Sequence, residues 1–117
     1  MAKSESDFQK QCIDLLKSKG CYVYKNAQSE FTEKGRPDLT VCVPVQVDHL
    51  LSILNEMKGT EKVGLFVGLE LKREGHKKEV SLAQQIVAKQ IEKAGGDWYL
   101  VDTLGELKEI LYKYAIQ

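Results

Sequence analysis

The run Leu65-Phe66-Val67-Gly68-Leu69-Glu70-Leu71-Lys72 constrains this chain more than any other stretch. Its apolar character, broken by one glycine, predicts an inner strand over 65–72. Strand side chains alternate faces, so Glu70 and Lys72 share one side. Leu69 and Leu71 are expected to point the other way, into a core. A carboxylate and an ammonium in such a strand are costly unless they pair or bind a metal. That cost marks both as functional candidates.

The remaining elements follow from caps, periodicity and glycine stops. Ser4 with Asp7 three residues later reads as a helix start, and Phe8, Cys12, Leu15 and Leu16 recur at helical spacing. Gly20 stops that helix after Lys17 and Lys19. Cys21-Tyr22-Val23-Tyr24 is a first strand. The polar stretch 26–37, with Gly35 and Pro37, is a loop. Asp38-Leu39-Thr40-Val41-Cys42-Val43 is a second strand, stopped by Pro44. Leu50, Leu51, Ile53, Leu54 and Met57 predict a short helix ended by Gly59. Beyond the 65–72 strand comes a Gly75-His76-Lys77-Lys78 loop. Ser81 then caps a helix carrying Ile86, Val87 and Ile91, which Gly95-Gly96 stops. Trp98-Tyr99-Leu100-Val101 is a fourth strand, and Asp102 or Thr103 caps a last helix with Leu104, Leu107, Ile110 and Leu111. The order α-β-β-(α)-β-α-β-α predicts an α/β fold, a mixed four-stranded sheet flanked by helices. Short connections favour the first three strands as antiparallel neighbours. A helical crossover makes the last two parallel.

A chain of 117 residues is expected to form a single domain over 1–117. Hydrophobic residues at 43% and charged residues at 29% suit a soluble protein. No apolar run approaches the roughly 20 residues of a membrane span, so no membrane partner is expected. The polar, acid-bearing start lacks the apolar stretch of a secretory signal, which makes the cytoplasm the expected location. Cys12, Cys21 and Cys42 are odd in number and show no CxxC spacing; buried reduced thiols are expected rather than a zinc site or disulfides. His49 and His76 are the only histidines, too few for an all-histidine metal site. The net charge is zero, but it is unevenly placed. Lys17, Lys19, Lys25, Lys34 and Arg36 face only Glu30 and Glu33 in one stretch. Lys72, Arg73, Lys77 and Lys78 face only Glu74 in another. Such patches either contact phosphates or form solvated faces.

Gly35-Arg36-Pro37 makes a sharp entry to the second strand and places Asp38 at its start. If that strand pairs with the third, Asp38 and Glu70 converge. Two carboxylates and a nearby main-chain carbonyl suit Mg²⁺, which keeps several waters and takes oxygen ligands. Lys72 would then balance charge on a transferring phosphate.

Asp38 after Pro37, followed by Glu70-Leu71-Lys72, resembles the PD-(D/E)XK nuclease signature. The wider pattern resembles its virus-type replication-repair nuclease (VRR-NUC) subfamily: Glu5 in the first helix, Gly35-Arg36-Pro37-Asp38-Leu39, Glu70-Leu71-Lys72, and Gln84 on the next helix. The resemblance covers about the whole chain. It implies a restriction-endonuclease-like αβββαβ core with an inserted helix, at 46–63, between the second and third strands. It also implies metal ligation, by Mg²⁺ or Mn²⁺, through Asp38, Glu70 and the main-chain carbonyl of Leu71, with Glu5 adding an acid directly or through water. Lys72 would be the catalytic lysine, and Gln84 would contact the site. The implied activity is structure-selective cleavage of branched DNA, such as four-way (Holliday) junctions, in phage-type replication, recombination or repair. A homodimer is implied too, in the host cell cytoplasm if the chain is phage-encoded. Lys34, Arg36, Arg73, Lys77 and Lys78 are the expected DNA contacts.

Several of these residues have a plainer reading. Glu5 suits the first turn of any helix through the dipole alone. Gln84 stands at capping-box spacing from Ser81. Asp38 is common in turns after proline. A nuclease directed at flaps or single strands, a DNA-binding module without chemistry, and an interaction domain without nucleic acid are the competing readings.

Overall fold

The computed structural model describes residues 4–27, 29 and 34–116. Glu30 and Glu33 of the first basic stretch lie outside the described residues. The chain divides into two compact units, Met1–Gly64 and Leu65–Gln117.

The first unit holds α1 (Glu5–Ser18), β1 (Tyr22–Lys25), β2 (Leu39–Cys42) and α2 (Val47–Leu54). Ser4 caps α1, its hydroxyl accepting from the Asp7 N–H at 3.2 Å. α1 packs on β1. Its sheltered face is Gln9, Cys12, Ile13 and Leu16, whereas Phe8 and Leu15 of the predicted stripe are exposed. The inward stripe is therefore rotated from the expected one, and Gln9, Cys12, Ile13 and Leu16 follow the i, i+3, i+4, i+7 spacing of one helix face. Gly20 ends the helix at φ +82°, a left-handed conformation that costs glycine no steric penalty. β1 and β2 pair antiparallel, from Tyr22↔Cys42 to Lys25↔Leu39. α2 begins at Val47, upstream of its leucines, and buries none of its residues.

The second unit holds β3 (Val67–Leu71), a 3-10 turn (Lys77–Glu79), α3 (Leu82–Lys93), β4 (Asp97–Val101) and α4 (Leu104–Lys113). β3 and β4 are parallel, as the helical link between them predicts, from Val67↔Asp97 to Leu71↔Val101. The ladder runs on at both ends, with Asp97 N–H donating to Phe66 and Lys72 N–H to Val101, each at 3.0 Å. Ala88, Ile91, Ala94, Val101 and Ile110 form the core here, while Ile86 of the predicted α3 stripe is exposed. Ser81 caps α3 and Thr103, rather than Asp102, caps α4.

The described residues form two sheets of two strands each, where one of four is predicted. The connection from β2 to β3 runs over 43–66 and contains α2; only a hairpin-length link dictates an antiparallel neighbour. Leu69 and Leu71 are also not core residues, being 42% and 66% exposed. α3 covers the opposite face of β3. The Ile91 Cδ1 lies 3.1 Å from where a Cβ on Gly68 would stand, and Gln84 reaches Glu70 on that same face. Among the described residues, no helix is long and apolar enough to cross a membrane.

Candidate active site

In the second unit, strand alternation and the position of α3 bring three of the expected residues together. Gln84 Nε2 donates to Glu70 Oε1 at 2.6 Å, and Lys72 Nζ stands 3.6 Å from that oxygen. The Lys72 and Glu70 side chains are 17% and 27% exposed, more sheltered than the leucines between and beside them. The pair thus meets the condition that charges in a sheltered strand position be matched. Gln84 does more than cap or contact. Its Oε1 accepts from the Ser81 N–H at 2.9 Å while the Ser81 hydroxyl accepts from the Gln84 N–H at 3.1 Å. Both halves of the side-chain amide are therefore engaged. The capping box ties Gln84 to the first turn of α3, and its remaining donor orients the Glu70 carboxylate. Leu71 lies between Glu70 and Lys72 at the end of β3, opposite Val101 in the ladder.

In the first unit, Glu5 and Asp38 border one open pocket of about 720 Å³, shared with Ser4, Ser6, Gln9, Lys25, Asn26 and Ala27. Glu5 is there because Ser4 caps α1 and places the first helical turn at the rim. Asp38 is there because the turn before β2 is pinned. Asn26, only 5% exposed, donates from Nδ2 to the Pro37 carbonyl at 2.8 Å and to Thr40 Oγ1 at 2.9 Å. Its backbone N–H donates to the Asp38 carbonyl at 2.9 Å, one step beyond the last β1–β2 pair. Arg36 Nη2 donates to Asn26 Oδ1 at 3.1 Å.

The basic residues fall into different situations. Lys34, Arg73 and Lys78 are exposed. Arg36 is exposed and leans on Asn26 as described. Lys77 is tied within its own unit, forming an ion pair with Glu106 and another, at 3.8 Å, with Asp102. Asp102 also accepts from the Gly75 N–H at 2.9 Å and donates its own N–H to Glu106 at 3.2 Å. Glu106 is held at about 2, first by hydrogen bonding with the Asp102 side chain, then by Lys77 and the Asp102 N–H. The Glu106 hydrogen bond in turn raises Lys77. His76 Nδ1 pairs with Glu79 at 2.7 Å.

Among the described residues, no group of three or more His, Cys, Asp or Glu side chains gathers as a metal cluster. The Glu5 and Asp38 carboxylates that share the pocket nevertheless fit Mg²⁺ or Mn²⁺, hard ions that need few protein oxygens and keep their waters. All three cysteines are unbridged. Cys42 is buried, and burial, followed by Cys21, pushes its thiol up; Cys12 and Cys21 are only half-buried. Searches against protein-family models, curated proteins and solved structures find no match to this chain.

Two groups of residues escaped the sequence reading. Asn26 sits at the end of a strand before a polar loop, a place where asparagine needs no special reason. Its burial arises only because the Pro37 turn folds back over it. Asp102 and Glu106 left a weak trace in the Thr103–Glu106 capping spacing. Their partner, Lys77, lies far away in the sequence.

Proposed function

We propose that this chain is a VRR-NUC-like, metal-dependent endonuclease that hydrolyses phosphodiester bonds in branched DNA. The observation that carries the reading is the Gln84–Glu70–Lys72 group, in which an amide of α3 and the lysine just past β3 converge on one oxygen of the Glu70 carboxylate. A surface cross-strand ion pair would not need a helix-anchored amide to orient it. The presence of Glu5 and Asp38 at one pocket adds support.

In this reading Asp38, Glu70 and the Leu71 main-chain carbonyl hold Mg²⁺ or Mn²⁺, with Glu5 as a further acid. When bound, the ion would supply Lewis acidity to a phosphate oxygen and an acidified water as nucleophile. Gln84 and Lys72 both engage Oε1 of Glu70. Gln84 fixes the rotamer of Glu70, so little reorganisation is needed when substrate arrives. The Lys72 ammonium balances negative charge that develops on the phosphate during attack. Lys34, Arg36, Arg73 and Lys78 carry the phosphate backbone. Lys77 is assigned the same role but must first give up part of its pairing with Glu106. The reading includes the restriction-endonuclease-like core. It also includes a homodimer, to which α2 is suited because it exposes Val47, Leu51, Ile53 and Leu54.

The test is a panel of linear, flap, splayed and four-way junction substrates with Mg²⁺ or Mn²⁺. Cleavage of the four-way junction is expected to exceed cleavage of linear duplex. Asp38→Ala and Lys72→Ala should abolish it while the far-UV circular dichroism is unchanged. Variants that cut as well as the parent would sink the site assignment. Preference for flaps or single strands would keep the chemistry and change the substrate.

A further inference from the structure

We propose that Asn26 is the positioning residue that sets Asp38 for metal binding, an inference that rests on the nuclease reading above. Asn26 grips the entry to β2 on both sides of Asp38. Its side-chain amide holds the carbonyl of the preceding Pro37 at 2.8 Å and the hydroxyl of Thr40, two residues on, at 2.9 Å. Its backbone N–H holds the carbonyl of Asp38 itself at 2.9 Å. With the residues on either side pinned, the backbone at Asp38 has little freedom, and its Cα–Cβ bond has one direction.

The burial of Asn26 makes this restraint firm. A side-chain amide 5% exposed that lost these partners would leave donors unsatisfied away from water, which is costly. The turn cannot drift without breaking those bonds. Asn26 also borders the pocket that Glu5 and Asp38 share. Arg36, which precedes Pro37, supplies a hydrogen bond to Asn26 Oδ1 at 3.1 Å and so orients the amide. A residue that supports a ligand in this manner contributes to metal affinity without touching the metal.

The test is Mn²⁺ binding, read by electron paramagnetic resonance on the full chain, alongside urea melts. Asn26→Ala is expected to weaken Mn²⁺ by about 10- to 100-fold. The same substitution in an Asp38→Ala background should add no further loss, because Asn26 acts through Asp38. Thr103→Ala, which removes the α4 cap and leaves every Asn26 bond in place, should lower the urea midpoint and leave Mn²⁺ affinity unchanged. If Asn26→Ala does not fold, Asn26→Ser carries the same comparison. A folded Asn26 variant that binds Mn²⁺ as the parent does, or an equal loss in Thr103→Ala, would overturn the role of Asn26 and leave the nuclease reading standing. A parent chain that neither binds Mn²⁺ nor cuts junctions would overturn both.

Discussion

At the scale of single residues, Gln84 shows how one side chain can serve stability and chemistry through different atoms. Its carbonyl oxygen belongs to the α3 cap and its amide nitrogen to Glu70. Substitutions should separate the two. Ser81→Ala removes the cap hydroxyl and is expected to cost about 1 kcal/mol in a urea melt, with junction cleavage largely kept. Gln84→Glu keeps an acceptor for the Ser81 N–H but sets a carboxylate against Glu70. It should lower cleavage by about 10-fold or more. Equal activity in the two variants would show that Gln84 only caps. Glu106 predicts a pH dependence. Its folded pKa of about 2 lies below the ordinary 4.5, so the folded state binds its proton less readily than the unfolded chain. The stabilisation is present above pH 4.5 and is lost as pH falls toward 2. Glu106→Gln should flatten the slope of urea stability across that window; an unchanged slope would show that the hydrogen bonding of Glu106 with Asp102 and Lys77 is not maintained in solution.

At the scale of elements, the α3–β3 packing was the least legible part. The alternation of β3 is real, since Glu70 and Lys72 share a face, but the face that α3 chooses is the polar one. Apolarity alone assigns Leu69 and Leu71 to the interior. The helix instead goes where Gly68 permits a close approach, and Gln84 and Lys72 satisfy the carboxylate it covers. Gly68 is therefore a packing position. A Cβ there would stand 3.1 Å from both Ile91 Cδ1 and Trp98 Cδ1, and Ile91 is buried. Gly68→Ala should destabilise the chain by about 1–3 kcal/mol through overpacking, read as a lower urea midpoint. A midpoint at or above that of the parent would mean that Ile91 moves aside freely. Caps and stops, by contrast, were readable from short spacings: Ser4 with Asp7, Ser81 with Gln84, and Gly20 at positive φ.

At the scale of the whole molecule, large apolar side chains are exposed in both units. Val43, Val45, Val47, Leu51, Ile53, Leu54 and Val63 are exposed in the first unit, and Leu65, Leu69, Leu71, Leu82 and Leu104 in the second. Exposed apolar surface beyond a few hundred Å² marks an interaction face. The proposed homodimer predicts a sedimentation mass of two chains at micromolar concentration. Leu51→Glu in α2 should shift it to one chain. A monomer for the parent, with or without junction DNA, would count against the dimer.

The sequence by itself determined the order of the elements, the caps, the antiparallel β1–β2 and parallel β3–β4 pairings, and the sharing of one strand face by Glu70 and Lys72. These depend on local forces, namely hydrogen-bonding side chains a turn apart, the two-residue period of a strand and the reach of a crossover helix. Only the tertiary structure decided which face of β3 the helix covers, that the Gln84 amide reaches Glu70, that Lys77 is paired with Glu106, and that Asn26 is buried beneath the turn leading to Asp38. Each of these joins residues distant in sequence. Hydrogen bonding and close packing between such groups depend on the path of the backbone, and no short spacing in the chain records it.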